Sequence, residues 1–159
     1  MSRLPGLGPR GEGWVLLQVV LLGVVGLAGP LADGAWSGPV AVATAVCGLV
    51  LILAGSMLAG RGLRDLGPNL TAVPRPRDGA HLVDSGLYGH VRHPIYGGLV
   101  LGALGWSLLW ASPLALALSA VLALFFDLKA RREEAWLASA YAEYRAYAER
   151  TRRFIPGLY

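Results

Sequence analysis

The stretch Gly105-Trp106-Ser107-Leu108-Leu109-Trp110-Ala111-Ser112-Pro113-Leu114-Ala115-Leu116 decides how this chain folds. It lies inside an apolar run that extends from Ile95 to Phe126. As one helix that run would far exceed the roughly 20 residues a membrane crossing needs, and it would carry a proline in its middle. Ala111-Ser112-Pro113 therefore predicts a turn between two antiparallel helices, about 95–110 and 113–126. Towards the N-terminus lie two further apolar runs, about 14–31 and 36–60, each long enough to span. The two hairpin helices are shorter, so they must borrow residues at their inner ends or cross a thinned bilayer. The expected fold is all-α: a polytopic membrane protein with about four transmembrane helices, its residues 1–159 forming one domain.

Composition agrees. Of 159 residues, 55% are hydrophobic and only 15% charged, against about 25% in a soluble domain. The lone Cys47 excludes an internal disulfide and a cysteine metal cage, and its apolar surroundings make it a packing residue. All 14 Lys and Arg fall in three segments: Arg3 and Arg10; Arg61, Arg64, Arg75, Arg77 and Arg92; then Lys129 onward. The connections around Asp33 and Ser112 have none, which predicts cytoplasmic termini and a cytoplasmic 61–94 loop. Trp14, Trp36 and Trp110 stand at run ends, as interfacial aromatics do. The net charge of +4 thus belongs to a membrane-facing surface, and no nucleic-acid partner is needed. Arg3 and Arg10 before an apolar stretch also resemble a secretory signal. The stretch exceeds a usual signal core, and its removal would move the basic loops outside, so it is expected to stay as the first span. Abundant Arg, Ala and Gly resemble a GC-rich coding bias and suggest a bacterial inner membrane.

Residues 61–94 form the one long polar connection. Gly67-Pro68-Asn69, Pro74-Arg75-Pro76-Arg77-Asp78-Gly79 and Asp84-Ser85-Gly86 are turn chemistry, so an irregular loop is expected. It ends in Tyr88, His90, Arg92, His93, Pro94 and Tyr96, while Lys129-Ala130-Arg131-Arg132-Glu133-Glu134 follows the last apolar run. These clusters can close one pocket at the membrane surface. Pro94 suits a first helical turn. The free N–H groups of that turn, with Arg92, suit an anionic group such as a carboxylate. The bland alternative is an Arg-His-Tyr anchor that seats the helix. On the fourth helix, one of Glu133 and Glu134 is expected to face the pocket and the other solvent, with a Lys129–Glu133 pair at i, i+4. His90 and His93 lack further ligands for a metal. Gly6-Leu7-Gly8-Pro9-Arg10-Gly11 matches GxGxxG without a preceding strand, which makes the match accidental. Gly98 and Gly102 read as a close-packing pair. The fourth helix should continue over 127–150, with Trp136, Ala140, Tyr144 and Tyr147 on one face, until Pro156-Gly157 ends the segment.

Together these residues closely resemble the isoprenylcysteine carboxyl methyltransferase family of integral membrane enzymes that use S-adenosyl-L-methionine. The resemblance runs through His81-Leu82-Val83-Asp84-Ser85-Gly86-Leu87-Tyr88 and Arg92-His93-Pro94-Ile95-Tyr96. After the hairpin it resumes at Glu133-Glu134-Ala135-Trp136-Leu137 and Tyr144-Arg145-Ala146-Tyr147, and closes on Arg153-Phe154-Ile155-Pro156. It implies that His81, Leu82, Val83, Tyr88, His93, Pro94 and Tyr96 line the cofactor, and that Glu133 holds it from the other helix. Lys129 would contact the substrate, at a position where arginine is usual; lysine lacks arginine's bidentate fork. The implied activity is methyl transfer at the cytoplasmic face to a lipophilic substrate, foremost the carboxyl group of an isoprenylcysteine-like or other lipid-linked acid. The tyrosine rings suit an adenine or sulfonium, and an ionised carboxylate acceptor needs no general base. Rival readings are N-methylation of a phospholipid amine, a nicotinamide-dependent reductase of sterol-like substrates, and a non-catalytic membrane protein.

Overall fold

Helices account for the fold seen in the computed structural model, which describes residues 7–75, 79–157 and 159. Arg3, Gly6 and the turn residues Pro76-Arg77-Asp78 lie outside the described residues. The α-helices are α1 (Glu12–Leu31), α2 (Gly38–Leu66), α3 (Pro94–Leu109), α4 (Pro113–Ala140) and α5 (Tyr144–Arg150). Short 3₁₀ turns occupy Gly67–Asn69 and Gly86–Gly89. The protein is an all-α polytopic membrane protein: α1, α2 and α4 are long and apolar enough to cross a bilayer. On α2, Val40, Val46, Leu53 and Met57 are all more than half exposed, a surface suited to lipid rather than water.

The helix α3 has 16 residues, about 24 Å of rise, and is the shortest of the four long helices. Its far tip nevertheless reaches the α1–α2 connection, where Gly34 N and Ala35 N donate to Trp110 O and Ala111 O at 3.2 and 3.1 Å. Ser112 makes the predicted turn specific. Its hydroxyl accepts from Ala115 N (3.2 Å), capping α4, and donates to Ala28 O (3.0 Å), fastening the turn to α1.

The seam between α2 and α3 is set by glycines seven residues apart. A Cβ on Gly55 would lie 2.5 Å from Gly98 O, and one on Gly48 2.5 Å from Gly105 O; the reverse contacts are equally close. Gly62 continues the row against Pro94. On α3 the seam is therefore made by Gly98 and Gly105, which face Gly55 and Gly48, rather than by the expected pair of Gly98 and Gly102; a Cβ at Gly102 would meet open space.

Two boundaries differ from expectation. Helix α2 runs on to Leu66, so Arg61 and Arg64 sit on helical turns, supported by Arg61 Nε–Asp65 Oδ1 at 2.9 Å; turn chemistry starts only at Gly67-Pro68. The fourth helix does not continue to 150. It stops at Ala140, Tyr141 is extended (φ −125°, ψ 119°), and α5 turns back. Helix propensity here yields to tertiary contact. The Tyr141 hydroxyl donates to Ala80 O (2.9 Å), and the break buries Tyr144 and Tyr147 on the loop. Trp136 and Ala140 accordingly do not form one continuous face with these tyrosines. After α5, Arg92 N and His93 N donate to Arg152 O and Arg153 O, both at 2.8 Å, so residues 151–154 lie across the start of α3. Trp14, Val25, Ala103, Leu122, Phe125, Phe126 and Phe154 form the core beneath.

Candidate functional site

Where α1, the end of α2, the start of α3 and the polar half of α4 meet, a cavity of about 540 Å³ opens. That volume falls in the roughly 300–1,000 Å³ range of small-molecule sites. The loop supplies His81, Leu82, Val83 and Tyr88; α3 supplies Ile95 and Tyr96, preceded by His93; α4 supplies Lys129, Glu133 and Leu137. Eight residues singled out from sequence thus meet at one cavity although their origins span the loop and two helices. Pro94 does not. It is buried against Gly62 of α2 and sets the helix start without lining the cavity.

Aromatic stacking builds one wall. The His93 and Tyr96 rings are stacked at 5.3 Å and 4°, and Tyr96 stacks in turn on Phe126 at 4.9 Å. The Tyr96 hydroxyl donates to Glu133 Oε2 at 2.8 Å, which orients that carboxylate. Tyr88 is buried, and its carbonyl accepts from the Tyr147 hydroxyl at 2.9 Å. Burial, with the charge of Glu133 next, pushes the Tyr88 phenol well above the ordinary tyrosine range, so it stays protonated. His81 is held at the rim by Asn69, whose Oδ1 accepts from His81 N at 3.2 Å. Tyr144 is buried and lines the cavity, and among the described residues its hydroxyl has no hydrogen-bond partner. Such a group is costly unless something bound in the cavity completes it.

The adjacent glutamates divide otherwise than expected. Glu133 lines the cavity, whereas Glu134 faces neither cavity nor open solvent. It meets Arg92 Nε at 2.9 Å, Arg153 Nη2 at 3.1 Å and His93 Nε2 at 3.2 Å. Arg92, expected as a cation for a ligand, is largely spent on this cluster: its Nη1 also donates to Ala148 O and Thr151 O. The Lys129–Glu133 pair is not formed either. Lys129 Nζ donates instead to Gln18 Oε1 (2.5 Å) and Ala72 O (3.2 Å) and lies 5.1 Å from the centre of the Tyr96 ring. Sequence reasoning missed Gln18, Asn69 and Tyr141 as cavity residues. Only Gln18 carried a signal, as a lone amide in an apolar run.

A helical bundle with an aromatic-walled, partly polar cavity at its basic end defines a polytopic membrane protein with a cavity of small-molecule size. This chain belongs to the phospholipid methyltransferase family, which matches residues 43–144. It is 35% identical over 130 residues to the cobalt-zinc-cadmium resistance protein CzcN of Cupriavidus metallidurans, covering 79% of this chain and 54% of that protein. It is 30% identical over 113 residues to a probable protein-S-isoprenylcysteine O-methyltransferase of Oryza sativa (69% and 59%). Against protein-S-isoprenylcysteine O-methyltransferase B of Arabidopsis thaliana the identity is 29% over 113 residues (69% and 57%). The resemblance to isoprenylcysteine methyltransferases is thus met among its relatives. The chain spans between half and two thirds of the length of these curated relatives.

Proposed function

We propose that this protein is a membrane methyltransferase that uses S-adenosyl-L-methionine and methylates a lipid-linked acid at the cytoplasmic face. The observation that carries this reading is the incomplete polar set of the cavity. Glu133 takes one hydrogen bond, from Tyr96, with His93 Nδ1 3.9 Å from the same oxygen, and the buried Tyr144 hydroxyl has no partner among the described residues. Bound there, the cofactor would supply an electrophilic methyl group. Glu133 suits a ribose hydroxyl or an ammonium, Tyr144 a polar edge, and the rings of Tyr88 and Tyr96 an adenine or sulfonium face. Loop residues His81, Leu82 and Val83 would cover the site and exclude water. Transfer of a methyl group to an ionised carboxylate needs positioning more than proton movement. Lys129 gives the acceptor a cation to meet, which favours an acid over an amine.

The family's description supports a second reading, in which the acceptor is a phospholipid amine. Alkali separates them, because a methyl ester is hydrolysed and a methylamine is not. The first test is calorimetric titration of S-adenosyl-L-methionine into the protein in lipid nanodiscs. Saturable binding is expected, weakened about tenfold in Glu133→Gln, the scale of one hydrogen bond to a charged group. A folded protein that binds no S-adenosyl-L-methionine would overturn the proposal.

A further inference from the structure

Helix α1 precedes the residues that match the family, yet it reaches the cavity through one side chain, Gln18. After Glu12 at its start, α1 is otherwise apolar, so an amide placed six residues in, about 9 Å along the axis, calls for a partner. That partner is Lys129 Nζ. An ammonium only donates, so the amide oxygen must face it, and the amide nitrogen of Gln18 must point elsewhere with two donors. Among the described residues, nothing accepts from that nitrogen.

Lys129 is similarly incomplete. It is 1% exposed, and two of its three donors go to neutral oxygens, those of Gln18 and Ala72. Among the described residues it forms no ion pair, and the nearest carboxylate along α4, Glu133, is engaged by Tyr96. The charge of Glu133 acts on Lys129 without contact, so a buried ammonium whose hydrogen-bond acceptors are all neutral remains costly, and an anion in direct contact completes it. We propose that Gln18 and Lys129 act as a split fork for the carboxylate of the acceptor. The amide N–H of Gln18 and the third N–H of Lys129, from two helices, give the two-point grip that a guanidinium provides from one side chain. One cation beside one neutral donor matches a monoanion better than a dianionic phosphate. Gln18 is then both a contact for the acceptor and the residue that positions Lys129.

This proposal rests on the acid-methylating reading above, and its test is read without the methyl donor. The probes are N-acetyl-S-farnesylcysteine and its carboxamide, each titrated into the full chain in nanodiscs. The wild type is expected to prefer the acid by about tenfold, the value of a charge-assisted hydrogen bond. Gln18→Met, of similar length, should lose most of that preference while binding the carboxamide as before. Gln18→Glu places a carboxylate on Lys129 and should abolish acid binding but not carboxamide binding. Gln18→Asn keeps the amide and should retain part of the preference, which separates the fork from a packing role. Equal binding of acid and carboxamide by the wild type, no binding of the acid, or full preference in Gln18→Met would each overturn the fork. S-adenosyl-L-methionine affinity is measured in parallel. Its absence with acid preference intact would sink the methyltransferase reading and leave the fork standing.

Discussion

At the scale of single residues, Glu133 and Glu134 are neighbours about 100° apart on one helix, and that angle gives them different work. Burial opposes ionisation of Glu134, but His93, Arg153 and Arg92 around it hold its carboxyl down to about 2. Glu134→Gln would leave the partly buried Arg92 without its anion and Arg153 with Asp127 alone, at 2.8 Å, and should cost about 3 kcal/mol of stability, read as a lower melting temperature in detergent. The pH dependence has a definite sign. A carboxyl depressed in the folded state stabilises above its ordinary value of about 4.3, and the effect is lost as pH falls toward 2. The melting-temperature gap between wild type and Glu134→Gln should therefore be constant near neutrality and close over that acidic window; a constant gap down to pH 2 would refute it. Tyr144→Phe should behave oppositely. Its hydroxyl satisfies nothing in the described protein, so the variant should melt no lower than wild type while binding S-adenosyl-L-methionine about tenfold more weakly. Unchanged affinity would remove Tyr144 from the cofactor site.

At the scale of elements, the turn at Ala111-Ser112-Pro113 and the helix start at Pro94 were legible because proline acts locally. The break at Tyr141 was not, because no proline or glycine marks it. It exists to bury Tyr144 and Tyr147 against a loop some 60 residues earlier, a contact that local propensity does not register. Glycine pattern was legible in part: Gly98 was recognisable as a packing residue, but its partner depended on the facing helix. The seam makes a sharp distinction. Gly55→Val would drive a side chain into the Gly98 carbonyl and force α2 from α3, costing about 1–3 kcal/mol or more. Gly102→Ala meets nothing within 4 Å and should be tolerated within about 0.5 kcal/mol. Thermal melting of the two variants in one detergent checks this, and equal destabilisation would show the seam to be misassigned.

For the whole molecule, the cavity, the cluster of Arg92, Arg153 and Glu134, and the exposed Arg61, Arg64 and Arg145 all gather at one end of the bundle, away from the 34–35 and 110–111 connections. The chain order of its residues made this end legible as basic, but not the route by which α1 enters it, since a single glutamine carries no register. Basic segments are retained on the cytoplasmic side, which is also where a soluble nucleoside cofactor would be drawn from. Orientation is therefore a functional statement. In a Cys47→Ser background, a cysteine at Asp33 should react with a membrane-impermeant maleimide in intact cells, whereas one at Arg145 should react only after the membrane is opened. Both positions are exposed in the fold, so a failure to react reports the membrane and not burial. The reverse pattern would put Glu133 and Lys129 outside, beyond reach of a cytoplasmic methyl donor, and the proposed activity would fall with it.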